Sequence, residues 1–390
     1  MARRLRTLIV GGGIGGLSLA RELTLRGLDC VVLEKTAQLS PVGAGIIMNP
    51  NAMRVLERNG LADDLRDRGW PYLARDTLDH EGRWLATRDY RPLYEAGRIA
   101  VGTLVHRAHL HEVLFQALPA GTVRFGARIR RLTAGNDGVR VELDDASGLE
   151  GGLLVGADGI HSQVREEFFG PLAPLYLGYR SHRLVVENRD QLEHFTEFLG
   201  RGKRIGLVPI SKELLYVWTT FNSPRDSRAW ALENVAAFRA CFAQFTDHRV
   251  QHAFEQLEST APILCTDIEE IHLDRWVTAG RVVLLGDAAH ALSPNMGQGA
   301  GMAMEDAAVL AEELHVVRRG LRPLAAALDS YVTRRQPRVA TVVHLSRVIG
   351  EDGQRTSVLG CWWRNRRLRR EGRDVARSQA SLEGLLAHPL

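Results

Sequence analysis

The 390-residue chain is 45% hydrophobic and 25% charged, a globular composition at a length that allows two or three domains of roughly 150 residues each, which excludes a single small module, a collagen-like fibre and a disordered chain. Fifty Lys and Arg against 46 Asp and Glu leave a net charge of +4, too slight to point to nucleic acid. No run approaches the roughly 18 to 20 apolar residues of a bilayer span or the core of a secretory signal, and Cys30, Cys241, Cys265 and Cys361 lack C-x-x-C spacing, so a cytoplasmic protein without a metal site or disulfide framework is expected.

Residues 7–10 form a short aliphatic run that ends in Gly11-Gly12-Gly13-Ile14-Gly15-Gly16, after which Gly16, Ala20 and Leu23 recur at helical spacing until Gly27. With a second buried strand over residues 30–34 this makes a βαβ unit and starts a parallel sheet. A further strand at residues 153–155 ends in Gly156-Ala157-Asp158-Gly159, and another at 281–285 ends in Gly286-Asp287. Between them, residues 205–210 and 214–220 read as antiparallel strands of an inserted sheet. Residues 301–318 put Ala303, Ala307, Leu310, Leu314 and Val317 on one face, with Glu305, Asp306, Glu312 and Glu313 among the rest; the pattern predicts an amphipathic helix lying over the sheet with its acids outward. Residues 362–377 carry seven arginines in a helix-compatible stretch.

A glycine turn between strand and helix leaves backbone N–H groups aimed outward at a helix N-terminus, which favours an anion such as a pyrophosphate. Gly11 permits the turn, Gly13 the close approach and Gly16 the packing of helix on strand, while Glu34 is placed to accept hydrogen bonds from a ribose. Asp287 is suited to a sugar-alcohol hydroxyl, and the run from Pro294 through Asn295, Met296, Gly297, Gln298 and Gly299 opens the next helix toward a ring carbonyl that gains charge on reduction. Together these favour a flavin over a nicotinamide.

The turn at Gly11 to Gly16 with Glu34, the segment Gly156-Ala157-Asp158-Gly159-Ile160-His161-Ser162-Gln163-Val164-Arg165, and Gly286-Asp287-Ala288-Ala289-His290 through Gly299 resemble, in order, the three fingerprints of single-component class A flavoprotein aromatic hydroxylases of the para-hydroxybenzoate hydroxylase type. The resemblance implies bound FAD, NAD(P)H as a transient reductant without a domain of its own, a C4a-hydroperoxyflavin formed with dioxygen, and insertion of one oxygen atom into an electron-rich ring. It places Gly11, Gly13, Gly15 and Gly16 on the pyrophosphate, Glu34 with Lys35 at the ribose, Arg107 beside the FAD phosphates or ribitol, and the flavin ring over Met296, Gly297, Gln298, Gly299 and Ala300. Asp158 is either a cofactor contact or a turn acid that fixes the strand end.

Within that family the chain looks closest to alkylquinolone 3-hydroxylases and FAD-dependent urate hydroxylases. Arg204 and Tyr216 stand where the urate enzymes place an arginine and a tyrosine beside substrate, but Asn295 replaces their acid and Ser181-His182 their Asn-Trp pair. A quinolone-like ring is therefore the first choice, with a urate-type or phenolic hydroxylase, or a catalytically silent FAD-binding sensor, as alternatives. A halogenase is disfavoured, because only isolated Trp218 stands where its Trp-x-Trp-x-Ile stretch is sought.

In this reading Arg204 holds an enolate-like oxygen, Tyr216 stacks or hydrogen-bonds, Asn295 orients a ring N–H or carbonyl, and His182, from the presumed substrate sheet, is the candidate base ahead of His161 and His290. The competing readings are a surface ion pair for Arg204 and a sheet-core position for Tyr216. The expected fold is α/β: a Rossmann-type FAD-binding domain built from residues 1–72, 101–174 and 273–345, an inserted, mostly antiparallel substrate domain from 73–100 and 175–272, and a helical tail over 346–390. The expected partners are a small aromatic substrate and dioxygen, with no nucleic acid. For the arginine-rich tail a solvated helix face is favoured over contact with an anionic membrane.

Overall fold

The computed structural model describes residues 5–39, 44–135, 137–225, 235–257, 264–374, 380 and 383–387. Arg377, counted with the arginine-rich tail, lies outside them. Strand β1 (Thr7–Val10), helix α1 (Ile14–Leu25) and strand β2 (Cys30–Leu33) form the first βαβ unit. β1 pairs in parallel with β2 on one side and with β3 (Leu153–Gly156) on the other, and β3 pairs in parallel with β4 (Val282–Leu284). The registers put Leu33, Val10, Gly156 and Leu284 side by side in one row. The glycine-and-acid turns that follow these strands therefore leave the sheet along one edge, although they come from three distant parts of the chain.

Helix α2 (Gly299–Arg318) packs on α1, and α3 (Leu324–Gly353) packs on α2. The expected amphipathic pattern of α2 is only half right. Ala303, Ala307, Leu310 and Leu314 are buried and Val317 half-buried, but Glu305, Asp306 and Glu313 are buried as well. The reason lies on α3: buried Arg335 donates to Asp306 Oδ1 and to Glu305 Oε2, each at 2.7 Å, and Arg338 stands 3.5 Å from Glu305 Oε1. Asp306 Oδ2 also accepts the Gly286 N–H at 2.9 Å and faces His290 Nε2 at 2.6 Å, so this ion cluster pins the turn that carries Asp287. The boundary expected between residues 345 and 346 falls inside α3.

The second large sheet has seven strands in the order 264–270, 175–187, 214–222, 203–209, 195–199, 74–79 and 84–89, antiparallel except between the fifth and sixth. Its residues alternate between two environments, as the period of a strand requires. Leu215, Val217 and Phe221 pack with Phe198, Phe238, Phe242 and Phe254 under the helices Val235–Cys241 and His248–Glu255. Tyr216, Trp218 and Thr220 face the opposite way, into a cavity shared with the parallel sheet's edge. Gly206 lies opposite Trp218, and a Cβ there would collide with the indole, so the glycine lets that ring lie across the strand.

Burial opposes the charge on Asp306, but His290 and Arg335 hold its carboxyl down to about 2. A depressed carboxylate stabilises the fold above its unfolded pKa of about 3.9, and that contribution is lost as pH falls through the folded value. Asp306→Asn, which leaves Arg335 short of a partner, is expected to lower the unfolding free energy by roughly 3–5 kcal/mol at neutral pH. Urea titrations should show the gap between wild type and variant closing between about pH 4 and pH 2.

Candidate functional site

A cavity of about 1530 Å³ runs between the ends of β1 to β4 and the open face of the seven-stranded sheet. At its parallel-sheet end the backbone approaches itself so closely that side chains are excluded. Gly11 has φ 106° and a Cβ on it would strike the Ala157 carbonyl, while a Cβ on Gly16 would strike the Gly11 carbonyl. Gly13 differs, since a Cβ there would meet nothing within 4 Å and would protrude into the cavity. α1 begins without a side-chain cap or an acid in its first turn, leaving its first N–H groups without a side-chain acceptor. A glycine-lined hollow over uncapped N–H groups fits a phosphate.

Glu34 closes this hollow. Its Oε2 accepts the Gly12 N–H at 2.7 Å and its Oε1 the Thr36 N–H at 2.9 Å. Burial pushes its carboxyl up, but these backbone donors and the Lys35 charge pull it net below the usual range. Oε1 also accepts the Thr36 hydroxyl at 2.9 Å, so it is Oε2 that retains a lone pair for a ligand hydroxyl. Lys35 and Arg107 line the same cavity. His111, which sequence reasoning passed over, sets its Nε2 2.6 Å from the Gly12 carbonyl and so braces the turn from beneath.

Asp158 lines the cavity and also accepts from Ser162 Oγ at 2.5 Å and the Val164 N–H at 3.2 Å, so it holds the Asp-Gly turn in shape. Arg165 then ties this turn to the third segment, donating to the Ile160 and Ala288 carbonyls at 2.6 and 2.9 Å. Asp287, beyond it, opens on the cavity. Gly297, at φ 62°, ends a short turn, and Gly299 and Ala300 start α2 with no side-chain cap. These three line the cavity, whereas Met296 and Gln298 do not. Their part is to hold the loop: Asn49 Nδ2 donates to the Met296 and Gly297 carbonyls at 3.3 and 2.9 Å, and Asn51 Nδ2 to Gln298 Oε1 at 2.9 Å. Asn-Pro-Asn at 49–51 starts a helix, the one sequence signal that could have flagged this pair.

At the far end Arg204, Tyr216 and Asn295 come together with Trp218. Arg204 is 2% exposed, so it is no surface ion pair. Its Nε donates to Thr220 Oγ1 at 3.3 Å, one terminal nitrogen stands 3.5 Å from Glu197 Oε1, the other bonds Asn295 Oδ1, and its guanidinium lies 5.5 Å from the centre of the Trp218 ring. Glu197 is in turn paired with Arg75. A second N–H remains on each terminal nitrogen of Arg204. Asn295 spends its amide on protein: Nδ2 donates to Tyr179 Oη at 3.0 Å and to the Ser346 carbonyl at 2.9 Å. It therefore aims Arg204, and does not orient a ring as the sequence suggested. Burial pushes the Tyr216 phenol up against the pull of Arg183.

The expectation for His182 fails. It pairs with Thr219, which puts it on the opposite face from Tyr216 and Trp218. There it is wholly buried, stacked 5.0 Å from Phe221 and bonded to Thr219 Oγ1 at 3.0 Å, and burial lowers its pKa to about 4. Its neighbours Ser181 and Arg183 face the cavity instead. Of the other histidines, His161 lines the cavity and His290 is sealed against Asp306.

The family described as FAD binding domain matches residues 4–346. The chain is 34% identical over 363 residues to the 2-heptyl-3-hydroxy-4(1H)-quinolone synthase of Pseudomonas aeruginosa, covering 92% of each. It is 33% identical to the aurachin C monooxygenase/isomerase of Stigmatella aurantiaca, over 98% of this chain and 99% of that one. Among solved structures it resembles Klebsiella pneumoniae HpxO complexed with FAD and uric acid, with a TM-score of 0.88 at 30% identity over 99% of this chain and 97% of that one.

Gly13→Val adds an isopropyl group whose first carbon meets open space. The variant is expected to keep its far-ultraviolet spectrum while the ratio of flavin to protein absorbance after purification reflects at least about tenfold weaker binding, equivalent to about 1.4 kcal/mol.

Proposed function

The chain belongs to the FAD binding domain family, and from that premise we propose that it is a FAD-dependent, NAD(P)H-consuming monooxygenase that hydroxylates a small electron-rich N-heteroaromatic ring of the quinolone kind. One observation carries the reading. The glycine-lined strand ends and the buried Arg204 with Trp218 and Tyr216 are walls of the same cavity, so a dinucleotide and a flat ring share one enclosed space. The named relatives add that proteins this similar include a quinolone synthase and an aurachin monooxygenase.

In this account residues 1–72, 101–174 and 273–345 carry the cofactor and residues 73–100 and 175–272 carry the substrate. Gly11, Gly13, Gly15 and the start of α1 take the pyrophosphate, Glu34 and Lys35 the ribose, Arg107 and Asp287 the middle of the molecule, and Gly297, Gly299 and Ala300 the ring. FAD, when bound and reduced, activates dioxygen and supplies the oxygen atom. The protein's part is to position, charge and dry the site.

Arg204 favours the ionised form of a substrate oxygen, whose proton leaves to solvent, and the ring carbon conjugated with that anionic oxygen is richer in electrons than in the neutral ring. Glu197 and Asn295 fix the direction of its free N–H groups, which spares reorganisation during reaction. Trp218 offers a flat face to the ring. Tyr216 keeps its proton at neutral pH, because burial raises its pKa, and can donate to a ring carbonyl. Ile47 and Ala44, packed in one cluster with Tyr216 and Trp218, add apolar surface to the same wall.

Two tests follow. The FAD-loaded protein, offered NADH or NADPH with a panel of hydroxylated pyridines, quinolones and benzoates, should consume reductant faster with its effector and incorporate one atom from isotopically labelled dioxygen; a rate indifferent to every ring contradicts the reading. Arg204→Ala should retain flavin but lose roughly tenfold to hundredfold in kcat/KM toward rings that bear an ionisable oxygen, the loss of a charge-assisted hydrogen bond of roughly 1.5–3 kcal/mol.

A further inference from the structure

Helix α4 (Val358–Glu371) follows α3 and has two unlike faces. Cys361 and Arg364 are buried, and Arg364 donates to the Gly200 carbonyl at 3.1 Å, which anchors the helix at the turn leading into the strand of Arg204. The outer face is built differently. Leu359 is 71% exposed, Trp362 51% and Trp363 62%, with Val358 at 61% beside them. One and two turns further along the same stripe stand exposed Arg366 and Arg370, and exposed Arg373 lies just past the helix's end. Arg366 lies 5.6 Å from the Trp362 ring centre. No acid pairs with these three arginines among the described residues, whereas the acids nearby are taken: Asp352 holds Arg355 and Arg367, and Arg367 also reaches Glu371.

An exposed cluster of four large apolar side chains within two turns of one helix is unusual for a free surface and marks a contact. Its chemistry narrows the occupant. Paired tryptophans followed by a row of unneutralised arginines suit a surface that is apolar a few ångströms in and anionic at its rim, the profile of an acidic lipid leaflet. Indole rings settle at the headgroup level, and arginine stems lie along apolar surface while their heads reach phosphate. A second copy packed in parallel would bring the arginine row against itself.

We propose that the outer face of α4 docks on anionic lipid membranes. The helix lies on the surface and does not cross it, since no helix among the described residues is long and apolar enough to span a bilayer. Docking would bring the turn before Arg204, which the inner face of α4 covers, to within about 10 Å, one helix width, of the lipid. The docking itself does not depend on the proposed hydroxylation.

The test uses the full-length FAD-loaded protein in flotation with vesicles of phosphatidylcholine alone or mixed with phosphatidylglycerol. Binding to the mixed vesicles should exceed binding to the neutral ones by about tenfold or more and should fall as salt is raised. Trp362→Ser with Trp363→Ser, and separately Arg366→Glu with Arg370→Glu, should each lower it about tenfold without loss of flavin, because all four side chains point outward. No binding to either vesicle, equal binding to both, or indifference to both double variants overturns the proposal. So does a concentration-dependent dimer in sedimentation velocity that the tryptophan variant dissolves, which would make the face a contact between copies. The salt titration needs no variant, so the proposal stays testable if either one misfolds.

Discussion

The strand row formed by Leu33, Val10, Gly156 and Leu284 is the constraint on which the rest of the molecule depends. Parallel pairing in this register makes three turns from distant parts of the chain leave the sheet together. Each turn alone is a generic glycine bend. Side by side they bring Gly11, Gly13, Gly15, Glu34, Asp158 and Asp287 to one end of the same cavity. A slip of one residue in β3 or β4 would rotate its side chains to the other face and carry its turn out of line.

Two polar clusters hold that edge in place. Asp306, His290 and Arg335 secure the Gly286 turn from behind, and Arg165 joins the second turn to the third. At the far end of the cavity, Arg75, Glu197, Arg204, Asn295 and Tyr179 form a second buried chain. Such networks contribute little net stability, because removing charges from water costs nearly what pairing returns. Their value is direction: a guanidinium held from three sides presents its remaining hydrogens at a fixed angle.

The local elements were legible in the sequence because they rest on short-range rules. A run of β-branched residues, a glycine turn and a helical repeat suffice to place β1, α1, β2 and the turn at Gly286, and Arg204, Tyr216 and Asn295 followed from the motif resemblance. What stayed hidden depends on partners far along the chain. The acids of α2 read as solvent-facing until Arg335 and Arg338 of α3 cover them. His182 read as a base because its chemistry suits one, but the parity of its strand, fixed by pairing with Thr219, turns it into the aromatic core. Asn49 and His111 support this edge through bonds to backbone carbonyls and Asn51 through the Gln298 side chain, partners that lie far along the chain from each of them.

The account stands on a single cavity that serves both cofactor and substrate. The most direct measurement is a crystal structure of the FAD-loaded protein soaked with a 4-quinolone. The account predicts the adenosine end of FAD over Gly11 and Glu34, and the quinolone ring between the isoalloxazine and Trp218 with its oxygen on the Arg204 guanidinium. A ring bound outside this cavity, or a flavin that fills it and leaves Arg204 sealed from any ligand, would contradict it.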